Sequence, residues 1–346
     1  MDSTALHWHS VDRLIVRSLD LLRANPASAS LLQVTDREVH GGGNRLTWDD
    51  SPLDVRNRIE SLCGSSVVSA QTSLGGFSPG LASTLDLSDG RRVFAKAASV
   101  DTSDGARDLY RRERDVLGLL PREVPCADLL VSDEFDGWIV LLYARIEGRH
   151  PIPGRATDRA AMFDTFSSLS DLLDPSPIDL PSFEAMNAGR FDSWVRTSPD
   201  SPARYLEPWI ADNIDAVIGY SRSWREASRG DALVHGDLRA DNMMLTVDGM
   251  IVLDWPEASI GASWIDIVLA LPSMAMFPGT PPVDEMARLT MLREVDPTAL
   301  QAVVAAMTGF FLCASTEAVI PKLPTLRRFQ LDQGLHAAAW LRALTE

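Results

Sequence analysis

The chain has 346 residues, 45% of them hydrophobic and 23% charged, with a formal net charge of −16. This is ordinary globular composition, so global disorder and a disulfide-stapled mini-protein are excluded, and the length allows two domains or one bilobal domain with real cores. The acidic balance excludes a protein that tracks nucleic-acid phosphates, which would need a basic surface, and it is compatible with a cationic small substrate.

Residues 1–45 read as an extension. Val11, Leu14, Ile15, Ser18, Leu19 and Leu22 mark one face at helical spacing, Asn25-Pro26 ends it, and Gly41-Gly42-Gly43-Asn44 forms a flexible connector. The helix is expected to dock on the body or on a second copy, as in a homodimer. Residues 46–142 then read as a small sheet lobe. Asp50-Ser51-Pro52 caps a short helix ending near Cys63, and strands follow over 67–73 and 81–87 around the turn Gly75-Gly76-Phe77-Ser78-Pro79-Gly80. Ser88-Asp89-Gly90-Arg91 turns the chain into a third strand, 92–97. That strand carries Lys96, one of only two lysines among 32 basic residues, and an ammonium on a flexible stem is not interchangeable with a guanidinium. A helix over 106–120 and strands over 124–131 and 138–143 complete five strands with one intervening helix.

Residues 143–346 are mainly helical, with helices predicted over 157–173, 183–195, 203–229, 284–294, 298–317 and 326–344. The exception is a hairpin-like insert with strands at 232–235, 243–246 and 250–253 and a turn at Val247-Asp248-Gly249. The longest apolar run, 299–315, is interrupted by Gln301 and Thr308 and is shorter than a membrane span, which predicts a buried helix and no membrane association. Cys63, Cys126 and Cys313 lie far apart, with no ligand-like spacing, so neither a disulfide framework nor a zinc site is expected. No secretory signal is visible, and a cytoplasmic location is expected.

The chemistry concentrates in the insert, His235-Gly236-Asp237-Leu238-Arg239-Ala240-Asp241-Asn242, followed by Asp254-Trp255. Apolar strand ends bring Asp237, Asn242 and Asp254 to one edge. Their hard oxygens suit Mg²⁺, and a carboxylate left over to accept a hydroxyl proton points to phosphoryl transfer. The ordered set His235-Gly236-Asp237, Asn242 and Asp254-Trp255 resembles the aminoglycoside phosphotransferase family of small-molecule kinases.

The resemblance implies a bilobal α+β fold of protein-kinase type, with a small five-stranded antiparallel N-lobe and a larger helical C-lobe. It also implies roles for individual residues. Asp237 would be the catalytic base, and Asn242 and Asp254 would hold Mg²⁺. Lys96 would reach the α and β phosphates of ATP, positioned by Glu113. Gly75, Gly76 and Ser78 would cover the phosphates, and the backbone of Ala144 and Ile146 would read the adenine edge, which does not by itself separate ATP from GTP. His235 would shape the catalytic loop, and Asp266 would bond its backbone. Arg239 and Asp241 lie inside that loop, where substrate contact and simple solvation are equal readings. Asp266 follows Asp254 by only twelve positions, too few for a regulatory loop and a peptide platform, so a small alcohol is the expected acceptor. Residues 143–346 carry 27 acids and 17 bases, which would suit an aminoglycoside, although the excess is spread over helix faces. The other readings are a metabolite kinase for a choline-, sugar- or homoserine-like alcohol, a protein kinase, and a silent nucleotide-binding module. Trp194, Tyr205, Trp209 and Trp224 either build the acceptor pocket or pack in the core.

Overall fold

A computed structural model describes residues 44–73, 75–100 and 105–346. The expected N-terminal helix, its homodimer contact and nearly all of its glycine connector lie outside these residues. Helix α1 (Leu53–Cys63) precedes strands β1 (Val67–Thr72), β2 (Leu81–Leu87) and β3 (Arg92–Ser99). Helix α2 (Ala106–Leu119) and strands β4 (Leu129–Phe135) and β5 (Trp138–Ala144) follow. The five strands form one antiparallel sheet in the order β1-β2-β3-β5-β4.

The period of two along a strand sorts this sheet into two faces. Val93, Ala95, Ala97, Val140 and Leu142 pack with Val55, Ile59 and Cys63 of α1. Ala98, Ile139, Leu141 and Tyr143 pack with Ala106 and Tyr110 of α2, with Phe94 against them. Lys96 shares the parity of Phe94 and Ala98, so alternation alone turns it toward α2. On α2 the buried stripe is Ala106, Tyr110, Glu113 and Val116, a helical repeat with one carboxylate set into it.

Two expectations for this region change. Pro52 stands at the N-terminus of α1 with no side-chain cap; Ser51 Oγ instead donates to Thr47 O at 2.7 Å. The strand expected over 124–131 begins only at Leu129, because Val252 N donates to Pro125 O at 2.7 Å and Cys126 bridges Val252, which commits residues 125 and 126 to Val252 instead.

The chain leaves β5 into a mainly helical region. Its helices are α3 (Ala156–Leu172), α4 (Phe183–Phe191), α5 (Ser193–Arg196), α6 (Pro208–Asp212), α7 (Ile214–Ser221), α8 (Trp224–Ala227), α9 (Ile265–Ala275), α10 (Val283–Ala287), α11 (Pro297–Ser315) and α12 (Leu326–Thr345). The single helix expected over 203–229 is broken, because Glu207 and Pro208 start a new helix and Asn213 Nδ2 donates back to Trp209 O at 2.8 Å. The helix expected over 183–195 breaks at Asp192, whose carboxylate accepts from Trp224 Nε1 and Arg225 Nη1 at 3.0 and 2.8 Å. Helix α9 was not among the expected helices; it is mostly buried and carries Pro272 inside it.

The insert is also two units rather than one. Strand β6 (Ala232–Val234) pairs with β9 (Ser259–Gly261), and β7 (Met243–Leu245) pairs with β8 (Met250–Val252). Helix α11 is long and apolar enough to cross a membrane, but most of it is buried among its neighbours, with Trp194 Nε1 donating to Ala305 O at 3.1 Å. Trp194 and Trp224 are core residues at 1% exposure, whereas Tyr205 is 67% exposed. The three cysteines are free thiols.

Candidate active site

Lys96, Glu113 and Asp254 meet across the two parts of the chain. Lys96 Nζ lies 2.7 and 2.8 Å from the two oxygens of Glu113 and 3.0 Å from Asp254 Oδ1. The Glu113 side chain is 2% exposed and that of Lys96 14%. Burial alone would lower the lysine pKa, but Asp254 and Glu113 reverse that and raise it, so the ammonium stays charged. The rings of Tyr110 and Tyr143 flank it, with centroids 5.6 and 5.7 Å from Nζ. Asp254 sits at φ 65°, a left-handed conformation that aspartate tolerates better than most residues, and its side chain is 40% exposed. Arg112, beside Glu113 on α2, donates to Pro256 O and Ala258 O at 2.5 and 2.7 Å and so anchors the segment after Asp254.

The catalytic-loop candidates cluster on the other side. Asn242 Nδ2 donates to Asp237 O at 2.8 Å and to Asp237 Oδ2 at 2.9 Å, which turns the amide oxygen of Asn242 away from Asp237. Arg239 Nη1 donates to Asp237 Oδ1 at 3.1 Å, while its Nε and Nη2 form a fork on Asp241 at 3.0 and 2.8 Å. Arg239 is therefore not a solvated loop residue; its side chain is 15% exposed. Burial pushes the Asp237 carboxyl up to about 7, with Asp241 and Asp254 adding to the rise and Arg239 opposing it.

His235 and Asp266 hold this loop from behind. The two oxygens of Asp266 accept from the backbone N–H groups of His235 and Gly236 at 2.7 and 2.8 Å. His235 Nε2 lies 2.9 Å from Leu253 O, and its Nδ1 accepts from Asp237 N at 3.2 Å. Burial lowers its pKa and favours the neutral ring, with the proton on Nε2. The Trp255 ring packs on it at 4.7 Å. Replacing Asp266 with Ala leaves two backbone donors without their acceptor and should cost about 2–3 kcal/mol, read as a lower urea midpoint.

The loop between β1 and β2 is tied down at several points. Arg45 Nε donates to Gly75 O at 3.0 Å, and its Nη2 reaches the same oxygen. Gly76 has φ 80°, a left-handed conformation that favours glycine, and a Cβ there would press on the end of the Arg45 side chain, 2.5 Å from Nη2. Ser78 Oγ, expected to face the phosphates, is 2.8 Å from Tyr110 Oη and joins the loop to α2. At the end of β5, Ala144 N donates to Asp128 O at 3.0 Å, leaving only its carbonyl for a nucleotide base. Ile146 follows before Arg149, whose backbone exchanges hydrogen bonds of 3.1 and 2.7 Å with Leu245 of β7.

Sequence reasoning passed over Tyr110, Arg112 and Arg45. Tyr110 was legible as the residue one turn before Glu113 on the same buried stripe. The other two act on backbone carbonyls, and no side-chain spacing signals such contacts.

The phosphotransferase enzyme family model matches residues 85–300. The fold is similar to that of a thermostable mutant of aminoglycoside phosphotransferase APH(4)-Ia in ternary complex with ADP and hygromycin B. The identity is 15% and the TM-score 0.55, covering 84% of this chain and 97% of that one. It is also similar to spectinomycin phosphotransferase APH(9)-Ia in complex with ADP and spectinomycin, at 13% identity and TM-score 0.52, over 83% and 97% of the two chains. A choline/ethanolamine kinase family protein from Mesorhizobium loti matches at 13% identity and TM-score 0.50, over 85% and 94%. No curated protein matches the chain.

Proposed function

The chain belongs to the phosphotransferase enzyme family, as a small-molecule kinase of protein-kinase-like fold acting on a hydroxyl group, and from that premise we propose that it transfers the γ-phosphoryl of ATP to a small hydroxylated acceptor with Asp237 as base. The observation that carries this reading is the Asp237 carboxylate, braced by Asn242 and Arg239, opposite the Lys96–Glu113–Asp254 cluster. Residues 46–142 act as the nucleotide lobe and 143–346 as the catalytic lobe in this scheme.

The donor set fits Mg²⁺. Among the described residues no three His, Cys, Asp or Glu side chains form a self-sufficient metal cage. Mg²⁺ instead takes one or two protein oxygens and completes its shell with phosphates and water. Asn242, with its amide oxygen turned off Asp237, and the part-exposed Asp254 supply those two. When bound, the metal neutralises charge on the phosphates. The protein's own part is positioning. Lys96 sets an ammonium against the phosphates, and the loop holding Gly75, Gly76 and Ser78 covers them. The carbonyl of Ala144 and the backbone of Ile146 face the base, where GTP is not discriminated by side chains. Asp237 orients the acceptor hydroxyl in line and takes its proton as the new O–P bond forms and ADP leaves.

The acidic excess of residues 143–346 supports an aminoglycoside or another hydroxylated antibiotic as acceptor. A metabolite alcohol is the second reading, and a specific observation favours it. The carboxylates beside the base already have cations: Glu257 accepts two bonds of 2.8 Å from Arg190, and Asp241 is forked by Arg239. A polycation would have to displace those arginines. An ADP-release screen over aminoglycosides, neutral hydroxylated antibiotics, and choline-, sugar- and homoserine-like alcohols decides between the two. Mg²⁺-dependent turnover confined to uncharged or singly charged alcohols is expected on the second reading, and turnover of aminoglycosides would refute it. Phosphorylation of a peptide mixture with no small-molecule turnover would overturn both.

A further inference from the structure

Three distant segments converge on one guanidinium. Arg239 Cζ lies 5.8 Å from the ring centroid of Phe77, in the loop between β1 and β2, and 5.2 Å from that of Phe329, on α12. The two rings also touch each other, with centroids 4.9 Å apart and planes inclined by 52°. Phe329 is buried at 5% exposure, while Phe77 belongs to a loop that is also fastened by Arg45, by Ser78 and by Leu46 N, which donates to Pro79 O at 3.1 Å. The opposite edge of the same guanidinium is committed to Asp241 and Asp237. A planar cation whose N–H groups are held by two carboxylates and which lies over two rings has few remaining degrees of freedom.

We propose that Arg239 is a positioning residue that couples docking of the phosphate-covering loop, through Phe77, to the orientation of Asp237. With Phe77 seated on Arg239 and Phe329, the fork holds Asp241 and steadies the carboxylate of Asp237. With Phe77 withdrawn, one aromatic wall of the guanidinium is gone and the catalytic loop loosens. The coupling is reciprocal, because any contact that stabilises the docked loop is stabilised by it equally. The inference rests on the assignment of Asp237 as base, but the contacts themselves do not.

Hydrogen–deuterium exchange of the full chain tests it without any acceptor. Phe77→Leu keeps the bulk and removes the ring; it should speed exchange of the catalytic-loop amides 236–242 by about tenfold, the scale of a desolvated cation–π contact. Phe77→Tyr should restore protection. In the other direction, Arg239→Lys, which keeps the charge but loses the fork and the flat face, should speed exchange of the Leu46 amide, which donates to Pro79 O of that loop, to a similar degree. Amides of α11 and β3 should not change in any of these variants, which controls for global unfolding. Phe77→Leu exchange equal to wild type in 236–242, or loosening of each loop only by its own substitution, would overturn the coupling. Loss of turnover in Asp237→Asn is a separate measurement, so a failure of the base assignment cannot be confused with a failure of the coupling.

Discussion

Replacing Asp237 with Asn should lower kcat by about 10²–10⁴-fold, the usual contribution of a positioned general base, while ADP still binds. The substitution is nearly isosteric and keeps an oxygen that can accept from Arg239; its amide nitrogen then faces Asn242 Nδ2, so that one bond is lost. The bond from Asn242 to the backbone oxygen of residue 237 remains, while the capacity to take a proton goes. The pH dependence follows from the same residue. Burial raises the Asp237 carboxyl to about 7, and only the ionised form accepts a proton. Thus kcat/KM, which reports the free enzyme, should fall about tenfold per pH unit below about 7. In Asp237→Asn that acid limb should vanish along with the activity. Asp237→Asn with wild-type turnover, or an unchanged acid limb in whatever activity remains, would remove Asp237 from the base role.

Much of this site was readable because its parts obey short-range rules. Asp237, Asn242 and Asp254 stand at the ends of apolar β-strands, a pattern visible as letters. Lys96 was conspicuous as a rare residue type, and its inward side follows from strand parity with Phe94 and Ala98. Glu113 could be named only through the family likeness, since Asp108 and Asp115 are equally charged; the structure separates them by burial, as Glu113 alone lies on the Tyr110–Val116 stripe. What the sequence hid depends on distant partners. Strand β9 is three residues long, too short to stand out in the sequence, and it pairs with β6, which leads into the catalytic loop. The strand expected over 124–131 also overlooked Pro125: the backbone of Pro125 and Cys126 goes to Val252, and of residues 124–128 it is Asp128 whose carbonyl reaches β5, through Ala144 N. For Arg239 the sequence left substrate contact and solvation as equal readings and missed its packing, because its partners Phe77 and Phe329 lie 162 and 90 positions away along the chain. No local pattern can register such a contact.

Lys96→Met carries the second large effect, and it separates catalysis from stability. The Glu113 carboxylate is almost fully buried, and both its oxygens rest on the Lys96 ammonium. Removing the cation leaves a buried charge without a partner, which costs about 3–5 kcal/mol in comparable broken pairs and should appear as a clear drop in melting temperature. Asp254 loses the same partner but is 40% exposed, so water can replace the lysine there. Activity should fall by about 10²–10³-fold or more, because a fixed positive charge aimed at the phosphates is gone. Adding Glu113→Gln to Lys96→Met removes the stranded charge and should recover much of the melting temperature, since a buried pair replaced at both ends is close to neutral in stability. It should recover no turnover, because neither residue then carries the ammonium. A double variant that regains activity would show that Lys96 serves only to neutralise Glu113. A single variant as stable as wild type would show that the carboxylate is accommodated without it. The expected pattern, stability restored and catalysis still absent, assigns the lysine to the phosphates and the glutamate to the lysine.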